Sequence, residues 1–281
     1  MIGFPNRGDS ATLSGGSWLS ALPLTNLQVR TIGRVARSTN TAATSTKFTM
    51  DFGRSQAKRI FALVNNNITT AGQYRLTASD DAGFATLAYD SGTVDIWPEV
   101  YPYPVLEWED DRWWSGKYSE EDLAGSYRNL IIVLDKVYTA RYWRLELFDT
   151  GNPAGYVQAG RLFFGPSWIP RMNPSYDLEL GWETTTTVQV SLGGAETFDR
   201  RISFRSTRFS LDYMTEDEAL STAFDMDRQA GIDQEVLWIQ NTEDTTNAHR
   251  RRFLGRLRAL SAIKYPYYNT NSKAYEIKEL L

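Results

Sequence analysis

The chain has 281 residues, 42% of them hydrophobic and 23% charged, with a formal net charge of -4 at pH 7 and a sequence pI near 5.3. That bounds it to one large core or two ordinary ones, and the acidic balance disfavours a generally basic nucleic-acid binder. Cysteine is absent, which removes disulfides and thiolate zinc sites, and the one histidine, His249, leaves Ser–His–Asp or Cys–His catalysis little to work with and excludes a multi-histidine metal site.

Residues 1–30 are polar and Gly/Ser-rich, close on "LPLTNLQVR", and read as an arm or packed loop. They lack the basic start and apolar stretch of a secretory signal, and no run in the chain approaches the roughly 20 apolar residues that span a bilayer. Strand-like alternation begins at "KFTMDFG", where Phe48 and Met50 alternate with polar neighbours until Gly53 interrupts. "AKRIFALVNNN" follows, with a continuous apolar run from Ile60 to Val64 that Asn65, Asn66 and Asn67 end with turn chemistry. "QYRLTAS" alternates through Tyr74, Leu76 and Ala78; "SDDAG" is a turn; "FATLAYDSG" is another short strand.

The rhythm then stops. Residues 95–118, "DIWPEVYPYPVLEWEDDRWWSGKY", hold four of the chain's 9 tryptophans and fit neither a strand nor a helix period. They read as a long insertion at the rim of a sandwich. "NLIIVLD" and "YTARYWRLELFD" resume the strands, with Trp143, Leu145 and Leu147 alternating against Tyr142, Arg144, Glu146 and Phe148, and "NPAGYVQAGRLFFG" supplies a turn and a closing strand. Many short strands between turn signals predict an antiparallel β-sandwich.

"GPSWIPRMNPSYDLELGW", with three prolines and two glycines, places a domain boundary near residue 168. Beyond it "TTTTVQVSLGG" and "RRISFRSTRFSLDYM" read as strands. A helix over about 216–230 follows: Thr215 and Glu218 form a capping box, Leu220, Ala223 and Phe224 supply an apolar face, and Gly231 stops it. "EVLWIQ" is a strand, "RRFLGRLRALSAIKY" a strand pair bent at Gly255, and "KAYEIKEL" a final strand.

Two stretches carry a family resemblance. "DFGRSQAKRIFALVNNNITTAGQYRLTASDD" together with "YWRLELFDTGNPAGYVQAGRLFFG" resembles the galactose-binding-like (discoidin-type) jelly-roll domain over roughly residues 20–168. The order of elements from about residue 182 to the end is similar to tail-tip proteins of long-tailed bacteriophages, the distal tail and minor tail families, in which a split β-barrel packs one helix. The first resemblance implies a fold shared by many proteins that bind no sugar. The second implies a structural role in a tail tip or baseplate, with sixfold or threefold symmetry.

Two readings compete for the aromatic insertion. Trp97, Tyr101, Tyr103, Trp108, Trp113 and Trp114 could stack on pyranose rings, with Glu107, Asp110, Asp111 and Arg112 at the hydroxyls. They are also the residue types of core and subunit contacts, which is the reading preferred here. Arg250, Arg251 and Arg252 in "HRRRFLGRLR" read as subunit contacts on a strand that points arginines outward; no aromatic stacking pattern accompanies them that would suit a nucleic acid. Asn65, Asn66, Asn67 and the aspartates of "SDDAG" offer oxygens to calcium but are first of all turn formers. Glycine fingerprints for nucleotides are missing.

The expectation is therefore a mainly β protein: an N-terminal antiparallel β-sandwich of galactose-binding-like jelly-roll type (1–168) and a C-terminal α+β, split-barrel-like domain with one helix (169–281). It is expected to be no enzyme, to need no cofactor or metal, and to insert in no membrane. Its expected partners are other tail-tip or baseplate proteins and copies of itself, in a ring such as a hexamer or trimer, within a virion assembled in the host cytoplasm. The rival is a carbohydrate-binding module for host-surface glycans; a glycan hydrolase built on a carboxylate pair is a further rival that nothing in the sequence demands.

Overall fold

A computed structural model of the protein describes residues 1–101, 107–109, 113, 116–123 and 125–281, without the side chain of Glu120. The chain divides into two compact units: Met1–Ser167 with Ile239–Arg252, and Trp168–Trp238 with Phe253–Leu281. Residues 239–252, which the sequence places with the C-terminal part, thus belong to the first unit. Their polar, aperiodic composition gives no hint of a partner so far back in the chain.

The first unit is built on an antiparallel sheet of β1 (Phe48–Val64), β2 (Gln73–Ser79), β3 (Asn129–Phe148) and β4 (Arg161–Gly165), in the order β4-β1-β3-β2. Where the sequence suggests separate strands on either side of Gly53, and again on either side of Asp135, the structure runs one long strand through each. The β1–β3 register shifts between Asp51 and Gln56 and again between Lys58 and Ile60. Gly53 sits at φ 71°, and its N–H donates to Asp51 Oδ1 at 2.7 Å, so pairing bends there and resumes.

The bend flips which residues face inward. Phe48, Met50 and Phe52 are buried before it and Phe61 and Leu63 after it; on β3 Leu130, Ile132 and Leu134 give way to Trp143, Leu145 and Leu147. Both halves line one core. Phe164 on β4 makes edge contacts with Phe61 at 5.3 Å, Phe52 at 5.7 Å and Trp143 at 4.7 Å between centroids. A ribbon bent onto its own inner face is a sandwich, and fully burying each such side chain is worth about 1.5–3 kcal/mol. Lys58 carries an amine into this interior: it is 0% exposed, with Nζ 3.7 Å from the Phe52 centroid and 3.3 Å from Gln56 Oε1.

The second unit holds β5 (Glu179–Glu183), β6 (Thr187–Val190), β7 (Glu196–Asp199), β8 (Phe204–Met214), a helix α1 over residues 216–230, all but the last residue of β9 (Glu235–Ile239), all but the first of β10 (Arg252–Leu257), β11 (Lys264–Tyr267) and β12 (Thr270–Glu279). The main sheet runs β9-β10-β12-β8-β5, and β11 pairs with β12. β10 passes straight through Gly255 instead of bending there. A Cβ on Gly255 would lie 2.6 Å from Lys278 O, so glycine is what lets β12 come close. The chain leaves the strand only after Leu257.

Helix α1 begins as the sequence predicts: the Glu218 N–H donates to Thr215 Oγ1 at 3.3 Å. Glu218 does not complete the box. Its carboxylate accepts from Trp168 Nε1 at 3.1 Å and from the Arg171 N–H at 3.0 Å. Gly231, at φ 52°, ends the helix, its N–H bonded to Asp227 O at 2.8 Å. The stretch Glu218–Phe224 is π-helical. This wider winding puts Ala219, Ala223, Met226 and Ala230 inside, and leaves Leu220 and Phe224, expected on the apolar face, 43% and 57% exposed.

β6 and β7 pair only with each other among the described residues, Val188 opposite Phe198 and Val190 opposite Glu196. With their flanks they form an arm between β5 and β8.

Candidate functional site

The aromatic insertion divides in two. Its ends are anchored: the Val100 and Tyr101 N–H groups both donate to Gly116 O, at 2.7 and 2.9 Å, and Lys117 Nζ bonds Asp95 Oδ2 at 2.8 Å. Ser119 and Asp122 cap each other's backbone across the short turn Glu120–Leu123, with bonds of 3.0 and 3.2 Å. Trp97, Val100, Tyr118 and Leu123 are buried as a small cluster separate from the main core.

The lid on this cluster comes from residues 239–252. His249 meets Trp97 edge-on at 5.2 Å and Tyr118 at 6.1 Å, and its Nε2 lies 3.3 Å from Ser126 Oγ. The Tyr118 hydroxyl donates to Thr246 O at 2.8 Å, and burial raises its pKa. The Arg250 guanidinium stands 5.5 Å above the Tyr118 ring. Arg251 Nη1 binds Asp244 Oδ2 at 2.7 Å; the Asn247 N–H beside that carboxylate holds it below the usual range. Arg252, 8% exposed, gives Nη2 to the carbonyls of Asn241, Thr242 and Asp244 at 3.2, 3.0 and 3.0 Å.

The three arginines thus do not stand in an outward row on a strand. Arg250 and Arg251 lie on the short helix Ala248–Arg251, and Arg252 turns inward to close a loop. The void left between Ile96, Trp97, Pro98, Tyr118 and His249 is about 50 Å³, room for a water molecule but well short of the roughly 300 Å³ at which ligand pockets start. Trp97 and Tyr118 are therefore structural. His249, conspicuous in the sequence only as a failed catalyst, is the plug.

The outer part of the insertion differs. Tyr101 and Trp113 are half-buried, Glu107 is exposed, and Trp108 is 72% exposed. Tyr103, Trp114, Asp110, Asp111 and Arg112 lie outside the described residues.

At the loop end of the sandwich an open groove of about 400 Å³ is lined by Asn65, Asn67, Thr69, Tyr127, Arg128 and Asn152, among others. Its asparagines are largely engaged by backbone. Asn67 Nδ2 donates to Tyr156 O at 3.0 Å and its Oδ1 accepts from the Gln158 N–H at 2.8 Å. Asp149 accepts from Thr69 Oγ1 at 2.6 Å and from Asn152 Nδ2 at 2.8 Å. These are turn roles, as their residue types suggest. Tyr127 in this wall was not singled out from sequence; it stands alone, without a pattern to mark it.

The sequence matches no protein-family model. No curated protein matches it. Solved structures do match. One is the module CBM32-1 from a family 31 glycoside hydrolase of Clostridium perfringens, 9% identical, with 58% of this chain and 99% of that chain covered and a TM-score of 0.39. Another is chitosan-binding module 1 of a chitosanase/glucanase from Paenibacillus sp. IK-5, 14% identical, covering 58% and 100%, TM-score 0.37. A third is a mutant of the lectin binding domain of lectinolysin complexed with Lewis b, 12% identical, covering 60% and 100%, TM-score 0.38. The chain is mainly β, with antiparallel sheets and one main helix. A likeness this shallow says nothing of a ligand.

Proposed function

We propose that the protein is a non-catalytic structural component of the tail tip or baseplate of a long-tailed bacteriophage, where copies of it form a ring that links the tail tube to a hub or fibres. The observation that supports this reading is the bare arm of the second unit. Residues 187–202 are exposed without a break. One face of the arm carries Val188, Val190 and Phe198, 52%, 64% and 59% exposed; the other carries Thr187, Gln189, Thr197 and Asp199. Such alternation is the pattern of a half-buried strand, and a lone two-stranded hairpin is marginal in water. An arm with this pattern is made to be covered, which suits a subunit of an assembly better than a free-standing module. The resemblance of residues 182–281 to tail-tip proteins supplies the kind of assembly. Mass spectrometry and immunolabelling of particles of the phage that carries the gene should find the protein at the tail tip, in copy numbers that are multiples of three. Particles that lack it would overturn the proposal.

A second reading is recognition of host-surface glycans; among the similar solved structures one is named as a chitosan-binding module and another is complexed with Lewis b. What favours it in this chain is Trp108, an indole left bare beside Glu107. Titration with galactosides and chitosan oligomers tests it: millimolar or tighter binding that disappears in Trp108→Ala supports this reading.

A further inference from the structure

The second unit offers a place for the arm. Leu220 and Phe224, turned outward by the π-helical stretch, face Leu260, Ile263 and Tyr265 across an open groove of about 540 Å³. Leu260 is 52% and Tyr265 65% exposed. At the side of the groove Lys273 is 3% exposed and bound to Asp227 and to Ala223 O, so the ammonium nearest this apolar trough is already paired.

Groove and arm lie at opposite ends of one strand. The arm is rooted where Glu183 pairs with Phe204, beside the Glu279 end of β12, since Ser206 pairs with Lys278. The groove is reached at Lys273, next to Ser272, which pairs with Lys264. Six residues of strand separate them, about 20 Å. A chain with an apolar projection at one end of a sheet and an apolar trough at the other is suited to head-to-tail association, which closes into a ring when the rotation between copies allows. The arm has the extent for it: a standard interface uses about 20–30 residues a side, and residues 184–203 project from the sheet with only Thr186 and Ser203 half-buried.

Charge agrees. Glu196 shares the arm's apolar face and makes no ion pair among the described residues; Lys264, exposed between groove residues Ile263 and Tyr265, makes none either.

We propose that the arm of one copy docks, Val188, Val190 and Phe198 downward, in the Leu220–Phe224–Leu260 groove of the next copy, with Glu196 facing Lys264. This deepens the assembly reading and rests on it.

Sedimentation of the full-length chain tests the contact. The unaltered protein should self-associate with concentration. An arm variant (Val190→Asp with Phe198→Asp) and a groove variant (Phe224→Asp with Leu260→Asp) should each weaken association by at least about 30-fold. Both should keep the parent's circular dichroism and melting temperature, because all four side chains are exposed. Mixed one to one, the two variants should form dimers and nothing larger, since each pair retains one intact arm and one intact groove. Glu196→Lys should weaken association, and Lys264→Glu in the same chain should restore it. Association untouched by the arm variant, a mixture that stays monomeric, or an unaltered protein that is monomeric at every concentration would each overturn the arm-to-groove contact. The tail-tip reading stands or falls separately, on presence in particles.

Discussion

Two apolar surfaces of this molecule invite opposite conclusions from sequence and from structure. The insertion at residues 95–118 is crowded with tryptophan and tyrosine, the residue types of binding platforms as well as of core and subunit contacts. The arm at residues 184–203 is rich in threonine, has a single aromatic ring and looks like an ordinary hairpin. In the structure, the anchored half of the insertion is sealed by the chain itself, with Trp97 3% and Tyr118 5% exposed, whereas the arm has Phe198 59% exposed. Ring content alone does not mark a surface for a partner. What marks it is whether another segment of the same chain reaches it.

That contrast can be broken by mutation. The largest effect is expected at the sealed surface. Trp97→Ala should destabilise the first unit by about 3 kcal/mol in urea unfolding, because it empties a cluster closed by His249 and Tyr118. A change under about 0.5 kcal/mol, the range typical of surface positions, would mean that the cluster is not closed in solution.

Next comes a buried lysine of the same unit. Burial lowers the Lys58 pKa from 10.5 to about 7, with Arg7 nearby acting in the same direction. The folded state therefore releases this proton before the unfolded state does. Below about pH 7 both states hold it and the slope vanishes; between about 7 and 10.5 the unfolded state holds more protons, so stability rises with pH. The slope should reach about 1.4 kcal/mol per pH unit at its steepest. Lys58→Met should raise stability at neutral pH and flatten this window. An unchanged slope in that variant would show that Lys58 is not its source.

A smaller loss is expected from the loop that carries the plug. Arg252→Ala strips three carbonyls of their donor and should cost about 1–3 kcal/mol, read as faster proteolysis within residues 239–252. Arg250→Ala, which removes an exposed contact over Tyr118, should cost about 0.5–1 kcal/mol at most.

The smallest stability effect belongs to the bare surfaces. Phe198→Ser and Trp108→Ala should each leave unfolding within about 0.5 kcal/mol of the parent. Their effects belong to association and to glycan titration, respectively. A large loss of stability in Phe198→Ser would place the arm against its own chain and end the contrast.

The sequence was legible where structure is local. The alternation of Trp143, Leu145 and Leu147, the Thr215 cap and the Gly231 stop all follow from spacing and turn chemistry, and the structure keeps them. It was less legible where one residue changes the period. Gly53 reads as a break, but its left-handed backbone lets β1 bend and resume pairing. The π-helical winding after Glu218 moves Leu220 and Phe224 from the expected apolar face to a groove rim. At the insertion, the ring types were plain but their cover was not, because Thr246 and His249 lie more than a hundred residues further on. Alternation in "TTTTVQVSLGG" shows an apolar face without showing that Val188 and Val190 on it stand exposed.

The plug at residues 239–252 has a consequence for synthesis. The chain completes most of its first unit by Ser167, enters the second, and returns to the first only from Ile239 to Arg252. At a translation rate of about 5–20 residues per second, the Trp97 cluster waits several seconds for its lid while the nascent sandwich is already outside the ribosome. A gene cut at the proline-rich linker would not release an independent module; it would release a sandwich with an open aromatic wound. The two units are translated in sequence but must be finished together.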